Sequence, residues 1–183
     1  IEEKLKTALK PSRYRHTLGV AYTASCMAMV FGVDVHKAYR AGLLHDCAKC
    51  LTNEKRIFLC KKHNIQMNEA ELKNPQLLHA KVGSFLAMEE FDIHDQDIIN
   101  AILNHTTGRP DMSLLEKIIY IADYMEPGRK QAPNLSAIRK AAFEDLDKAL
   151  LMILEDTLSY LHSTGSVVDT MTQKTYDFYS QYS

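Results

Sequence analysis

Six side chains of this chain can bind a metal and stand in apolar surroundings, where such groups need a reason to be. The focal point is Gly42-Leu43-Leu44-His45-Asp46-Cys47-Ala48-Lys49, an apolar segment ending in adjacent histidine and aspartate. Neighbouring side chains on a helix diverge by about 100°, so both can turn toward one cation near a helix end. Lys49 follows His45 by four residues and would share its helical face. A lone His-Asp pair is weak evidence, and the chain carries its own control. His94-Asp95 lies in the polar stretch Phe91-Asp92-Ile93-His94-Asp95-Gln96-Asp97. There Asp95 reads as a helix N-cap, with Asp97 favourable in the first turn.

Three more histidines lie within otherwise patterned segments: His16, His79 in Leu77-Leu78-His79-Ala80, and His105 after Ala101-Ile102-Leu103-Asn104. Asp123 interrupts Ile118-Ile119-Tyr120-Ile121-Ala122-Asp123-Tyr124, where a carboxylate is costly unless paired or bound to metal. His36, His63 and His162 occupy polar contexts near helix ends. Any one inward histidine is most simply a hydrogen-bonded core residue. Four of them with two aspartates, on five separate helices, are hard to explain as filler. Imidazole and carboxylate suit iron, manganese, cobalt or zinc. Six ligands exceed the needs of one hydrolytic metal with open positions, but fit two that share a carboxylate. Such a pair acidifies a water and clamps the attacking and leaving oxygens of a phosphoryl group. Cationic partners for phosphate are at hand in Arg13, Lys49, Arg109 and Arg129, each within a few residues of a proposed ligand, with Thr106 and Gly108 in the loop of Arg109.

The elements that must carry these residues read as helices throughout. No stretch keeps the two-residue alternation of a half-exposed strand, so the expected fold is all-α, a compact helical bundle. Ser12 is the expected cap of a long helix stopping at Gly32, and Asp34 of one running to about Lys49. Thr52 or Asn53 opens a third, ending near His63. Asn74-Pro75 starts a fourth that continues to Phe91, Asp95 a fifth ending near His105, and Ser113 a sixth over 114–125. Two or three more fill 135–179, broken at Gly165. The expected organisation is a single domain over 1–183, with the metal-site core at about 11–130 and C-terminal helices at about 134–180.

Composition narrows the function classes. With 46% apolar and 25% charged residues over 183 positions, the chain is of ordinary globular type. A net charge of −1 spreads no basic field over the molecule, so nucleic acid is not an expected partner. No apolar run approaches a membrane span, and a cytoplasmic location is expected. Cys26, Cys47, Cys50 and Cys60 form no disulfide framework. The lone C-x-x-C at 47–50 lacks the second pair of a structural zinc site, so the cysteines read first as buried small apolar residues, with a redox pair or a thiol ligand as alternatives.

Taken together, Arg13-x-x-His16-Thr17, His45-Asp46-x-x-Lys49, Leu78-His79-Ala80, 104–109 (Asn-His-Thr-Thr-Gly-Arg) and 122–129 (Ala-Asp-Tyr-Met-Glu-Pro-Gly-Arg) resemble the HD-domain superfamily of metal phosphohydrolases. Within it they resemble the YqeK-type symmetrical diadenosine tetraphosphate hydrolases. The resemblance implies a helical HD fold and a dinuclear, iron-containing centre. It implies that His16, His45, Asp46 and Asp123 hold one metal and Asp46, His79 and His105 the other, with Asp46 bridging. The implied reaction is hydrolysis of diadenosine tetraphosphate to two ADP. Three other readings stand beside it: a different nucleotide substrate, a nucleotide-binding module without turnover, and a structural helical protein with core histidines. The oligomeric state, monomer or homodimer, is left open.

Overall fold

The computed structural model describes residues 1–182, and among these there are eleven α-helices and no strand. The expected all-α architecture holds. The helices are α1 Glu2–Ala8, α2 Pro11–Phe31, α3 Val35–Leu44, α4 Asn53–Lys62, α5 Glu69–Lys73, α6 His79–Phe91, α7 Gln96–Asn104, α8 Leu114–Met125, α9 Leu135–Ala141, α10 Leu146–Ser163 and α11 Thr170–Tyr179. None is long and apolar enough to cross a membrane.

Local chemistry sets most of the boundaries. Asp34, Thr52, Asp95 and Ser113 each accept backbone N–H groups at a helix start, and Ser113 forms a reciprocal capping box with Glu116. Gly32 closes α2 in the left-handed conformation.

Several expected boundaries are corrected. Ser12 caps nothing: α2 starts two residues earlier because Pro11, lacking an N–H and fixed in φ, takes the first helical position behind Lys10. α3 stops at Leu44, not Lys49. Beyond it the backbone tightens into turns bonded three residues back, Cys47 N–H to Leu44 O, Lys49 N–H to Asp46 O and Leu51 N–H to Ala48 O. The segment from Pro75 is a 3₁₀ turn over Pro75–Leu78 before α6 begins at His79. Helices α1 and α5 were not expected. The cysteines are not uniformly buried: Cys60 is, Cys47 and Cys50 are half-buried, and Cys26 is exposed.

α8 is the axis of the core. Its Ile118, Ile119, Ile121 and Ala122 are fully enclosed, packed among α2, α3, α7 and α10. Burying each such side chain contributes about 1.5–3 kcal/mol. α3 lies unusually close to α2, because a Cβ on Gly42 would stand 2.6 Å from the Cα of Ala21. Only glycine permits that approach, and it brings the end of α3 beneath the middle of α2. A smaller apolar cluster of Ala48, Cys60, Leu78 and Val82 pins the turns after α3 against α4 and α6.

Candidate metal centre

His16 comes from the second turn of α2, His45 and Asp46 from the end of α3, His79 from the start of α6, His105 from the end of α7 and Asp123 from the last turn of α8. The packing brings all six together. Asp46 is the hub and is almost fully enclosed. Its Oδ2 lies 3.5 Å from His45 Nε2 and 3.9 Å from His16 Nε2. Its Oδ1 lies 3.3 Å from His79 Nε2 and 3.6 Å from His105 Nε2. Asp123 closes the first half, with Oδ1 3.0 Å from His16 Nε2 and 3.8 Å from His45 Nε2.

The outer nitrogens fix the tautomers. His45, His79 and His105 each turn Nδ1 to the backbone carbonyl three residues earlier, of Gly42 (2.7 Å), Gln76 (2.6 Å) and Ile102 (2.7 Å). His16 turns Nδ1 to Glu126 Oε1 at 3.1 Å. A backbone carbonyl can only accept, so Nδ1 of His45, His79 and His105 donates and their Nε2 faces the cluster, as does that of His16. There it lacks satisfaction: His16 Nε2, His45 Nε2 and Asp46 Oδ1 are buried without a hydrogen-bond partner. Buried polar atoms are rarely left so. A cation in the cluster is the partner this donor set fits, and two groups, His16-His45-Asp123 and His45-Asp46-His105, have ligand atoms close enough to hold one.

The electrostatics agree with metal binding. Burial pushes the His79 imidazolium down to about 4, so this ring is neutral at physiological pH. Burial opposes ionisation of Asp46, but the imidazoles packed around it, His45 foremost, hold its carboxyl well below the ordinary carboxylate range. Burial likewise works against Asp123, and His16 and His45 overcome it. The Cys47 thiol is pushed up to about 12 by burial and by Asp46, and its S–H donates to Gly83 O. A thiol so hard to ionise is no thiolate ligand.

The expected phosphate contacts divide. Arg13 lies 2.6 Å from Asp46 Oδ2, Arg129 2.9 Å from Asp123 Oδ1, and Lys49 Nζ 3.0 Å from His79 Nε2. Burial lowers the Lys49 ammonium from its ordinary value. Thr106 Oγ1 stands 3.2 Å from both His79 and His105. Arg109 points to a different carboxylate, outside the cluster. Its Nε and Nη2 fork onto Glu116, both at 2.7 Å, because that carboxylate is buried in α8 and needs a cation. Gly108 is also turned away, packed under Thr175 of α11.

Two clefts open on the cluster, and a third adjoins it through Arg13 and Lys49. One of about 750 Å³ is lined by Lys49, Thr106, Asp123 and Arg129 and by Tyr120, Tyr124 and Tyr160. A second of about 670 Å³ collects Arg13, Arg15, Arg129 and Lys130 beside His16. A third of about 470 Å³ holds Lys10, Arg13, Lys49 and Arg56. Glu126, the three tyrosines and Lys130 were not singled out from sequence. Glu126 had a legible signal, an acidic residue between Met125 and Pro127 at the end of an apolar helix.

Such a fold and site define a helical metalloprotein built for hydrolysis at a phosphate. The model of the HD domain matches residues 13–128, and the chain belongs to the HD-domain family of metal-dependent hydrolases. It is 39% identical to the symmetrical bis(5′-nucleosyl)-tetraphosphatase of Bacillus subtilis, over 95% of this chain and 92% of that one. It is 40% identical to the enzyme of the same name from Halalkalibacterium halodurans, over 94% and 91%. A crystal structure from Clostridium acetobutylicum, described as a predicted HD superfamily hydrolase involved in NAD metabolism, superposes with a TM-score of 0.96 at 43% identity. It covers 100% of this chain and 96% of that one.

Proposed function

We propose that this chain hydrolyses diadenosine tetraphosphate at its central anhydride, giving two ADP, with two metal ions, iron foremost, held by the six residues of the cluster. Manganese, cobalt and zinc suit the same ligands. The carrying observation is the division of Asp46, which offers one carboxylate oxygen to His16 and His45 and the other to His79 and His105. One carboxylate placed so is suited to bridge two cations. Two bound cations supply Lewis acidity, an acidified water and neutralisation of phosphate charge.

The chain's own residues do the rest. Lys49, at the rim between two clefts, places a point charge beside the reacting phosphoryl oxygens. Once Asp46 and Asp123 are engaged elsewhere, Arg13 and Arg129 swing their guanidiniums onto the polyphosphate. Arg15 and Lys130 extend the track. Tyr124 and Tyr160 give the 750 Å³ cleft a face on which a nucleobase can stack. Water adds to a β-phosphorus, the central P–O–P bond breaks, and ADP leaves as an anion that needs no strong acid to protonate it.

Product identification tests this. Anaerobically purified protein, given diadenosine tetraphosphate, should release ADP as the sole nucleotide. ATP with AMP, or no turnover beside rapid hydrolysis of another nucleotide, would overturn the substrate assignment.

A further inference from the structure

The two halves of the cluster are not supported alike. Three of the histidines lean on neutral backbone carbonyls, and only His16 leans on a carboxylate, that of Glu126. Glu126 is itself held hard in place. It is buried at 5% exposure, and its Oε2 accepts the Gly128 N–H. Arg139 donates to the backbone oxygens of Met125, Glu126 and Arg129, clamping the turn that carries it. On the other side Gly19 makes room, since a Cβ there would stand 2.6 Å from Glu126 Oε2. A carboxylate enclosed this closely, two oxygens spent on one imidazole and one loop amide, is built for its place.

From this we infer that Glu126 is a positioning residue that makes the two metal positions unequal, so that the one beside His16 and Asp123 fills first and empties last. The inference rests on the dinuclear reading above. A carboxylate behind an imidazole orients the ring and makes its Nε2 a stronger donor. Charge points the same way. Around the first position stand Asp46, Asp123 and Glu126, facing the guanidiniums of Arg13 and Arg129. Around the second, only the shared Asp46 faces the Lys49 ammonium, which lies 3.0 Å from His79 Nε2 and 3.8 Å from Asp46 Oδ1. Without Glu126, carboxylates and guanidiniums at the first position would balance, and its electrostatic advantage would be gone.

The test is a titration of metal-free protein with Co²⁺, followed by calorimetry. Wild type should bind two equivalents in two resolved steps. Glu126→Gln keeps the shape and a hydrogen-bond acceptor but removes the charge. It should weaken the tighter step by about 10–100-fold and leave the weaker one in place, merging the two. The melting temperature of the metal-free variant should match wild type. Gly19→Ala, which displaces the carboxylate without deleting it, should weaken the same step and serves should Glu126→Gln fold poorly. Two steps unchanged in both variants, or a change confined to the weaker step, would overturn the inference. Failure of wild type to bind two equivalents would instead overturn the dinuclear reading beneath it.

Discussion

Replacing Arg109 by alanine separates the two roles this residue could play. The structure gives it to Glu116, a carboxylate with 1% exposure that also accepts from Asn104 Nδ2 and Ser113 N, both at 2.8 Å. Stripping the cation from a buried pair costs about 3–5 kcal/mol. Two hydrogen bonds survive here and the Arg109 side chain is 37% exposed, so solvent screens part of the loss and about 2–3 kcal/mol remains. For a chain of this length that lowers the melting temperature by about 4–12 °C. The effect should depend on pH. Burial opposes ionisation of Glu116, but the Arg109 fork and Ser113 hold its pKa below the ordinary 4.5. A carboxylate whose folded pKa is depressed adds stability above its unfolded value, and that stability disappears as pH falls through the folded one. The gap between wild type and Arg109→Ala should therefore be full near pH 7 and close below about pH 4.5. Thermal melts of the metal-free proteins across that range, with Glu116→Gln and the double variant completing a cycle, measure it. Coupling of about 1–3 kcal/mol between the two sites is expected. An unchanged melting temperature with a tenfold higher KM would refute the assignment and return Arg109 to the substrate.

Lys49→Ala should keep both metals and lower kcat by about 100-fold, as expected for loss of one electrostatic stabiliser; an unchanged kcat removes Lys49 from the reaction. Tyr160→Ala should raise KM for diadenosine tetraphosphate by about tenfold, since stacking on one aromatic contributes about 1–3 kcal/mol per base; an equal rise for inorganic polyphosphate would deny it a role in reading the nucleoside. Chelation should lower the melting temperature by several degrees, because metal at a hundred times its Kd stabilises the fold by about 2.7 kcal/mol; identical melts with and without chelator would speak against a metal in the fold.

Much of this was legible in the chain because the signals are local. Asp34, Thr52, Asp95 and Ser113 announce helix starts by their side-chain chemistry, and each caps one. The contrast between His45-Asp46 and His94-Asp95 also held: the first pair is buried at the hub, while exposed His94 pairs with Asp92 and Asp95 caps α7. Less legible was whatever depends on tertiary partners. α3 reads as continuing to Lys49, since nothing in 45–49 breaks a helix; the turns there are shaped by packing against α4 and α6. Arg109 looks free until α8 presents Glu116. Glu126 sits beside Asp123 in sequence, but its purpose appears only when α2 brings His16 and Gly19 against it.

Metal content of wild type and Asp46→Ala, purified side by side without oxygen, tests the centre most directly. Asp46 turns its two oxygens to different histidine pairs, Oδ2 to His16 and His45 and Oδ1 to His79 and His105. Two equivalents of metal in wild type and none in the variant are predicted. One equivalent retained at full occupancy in Asp46→Ala would contradict the bridge on which the account depends.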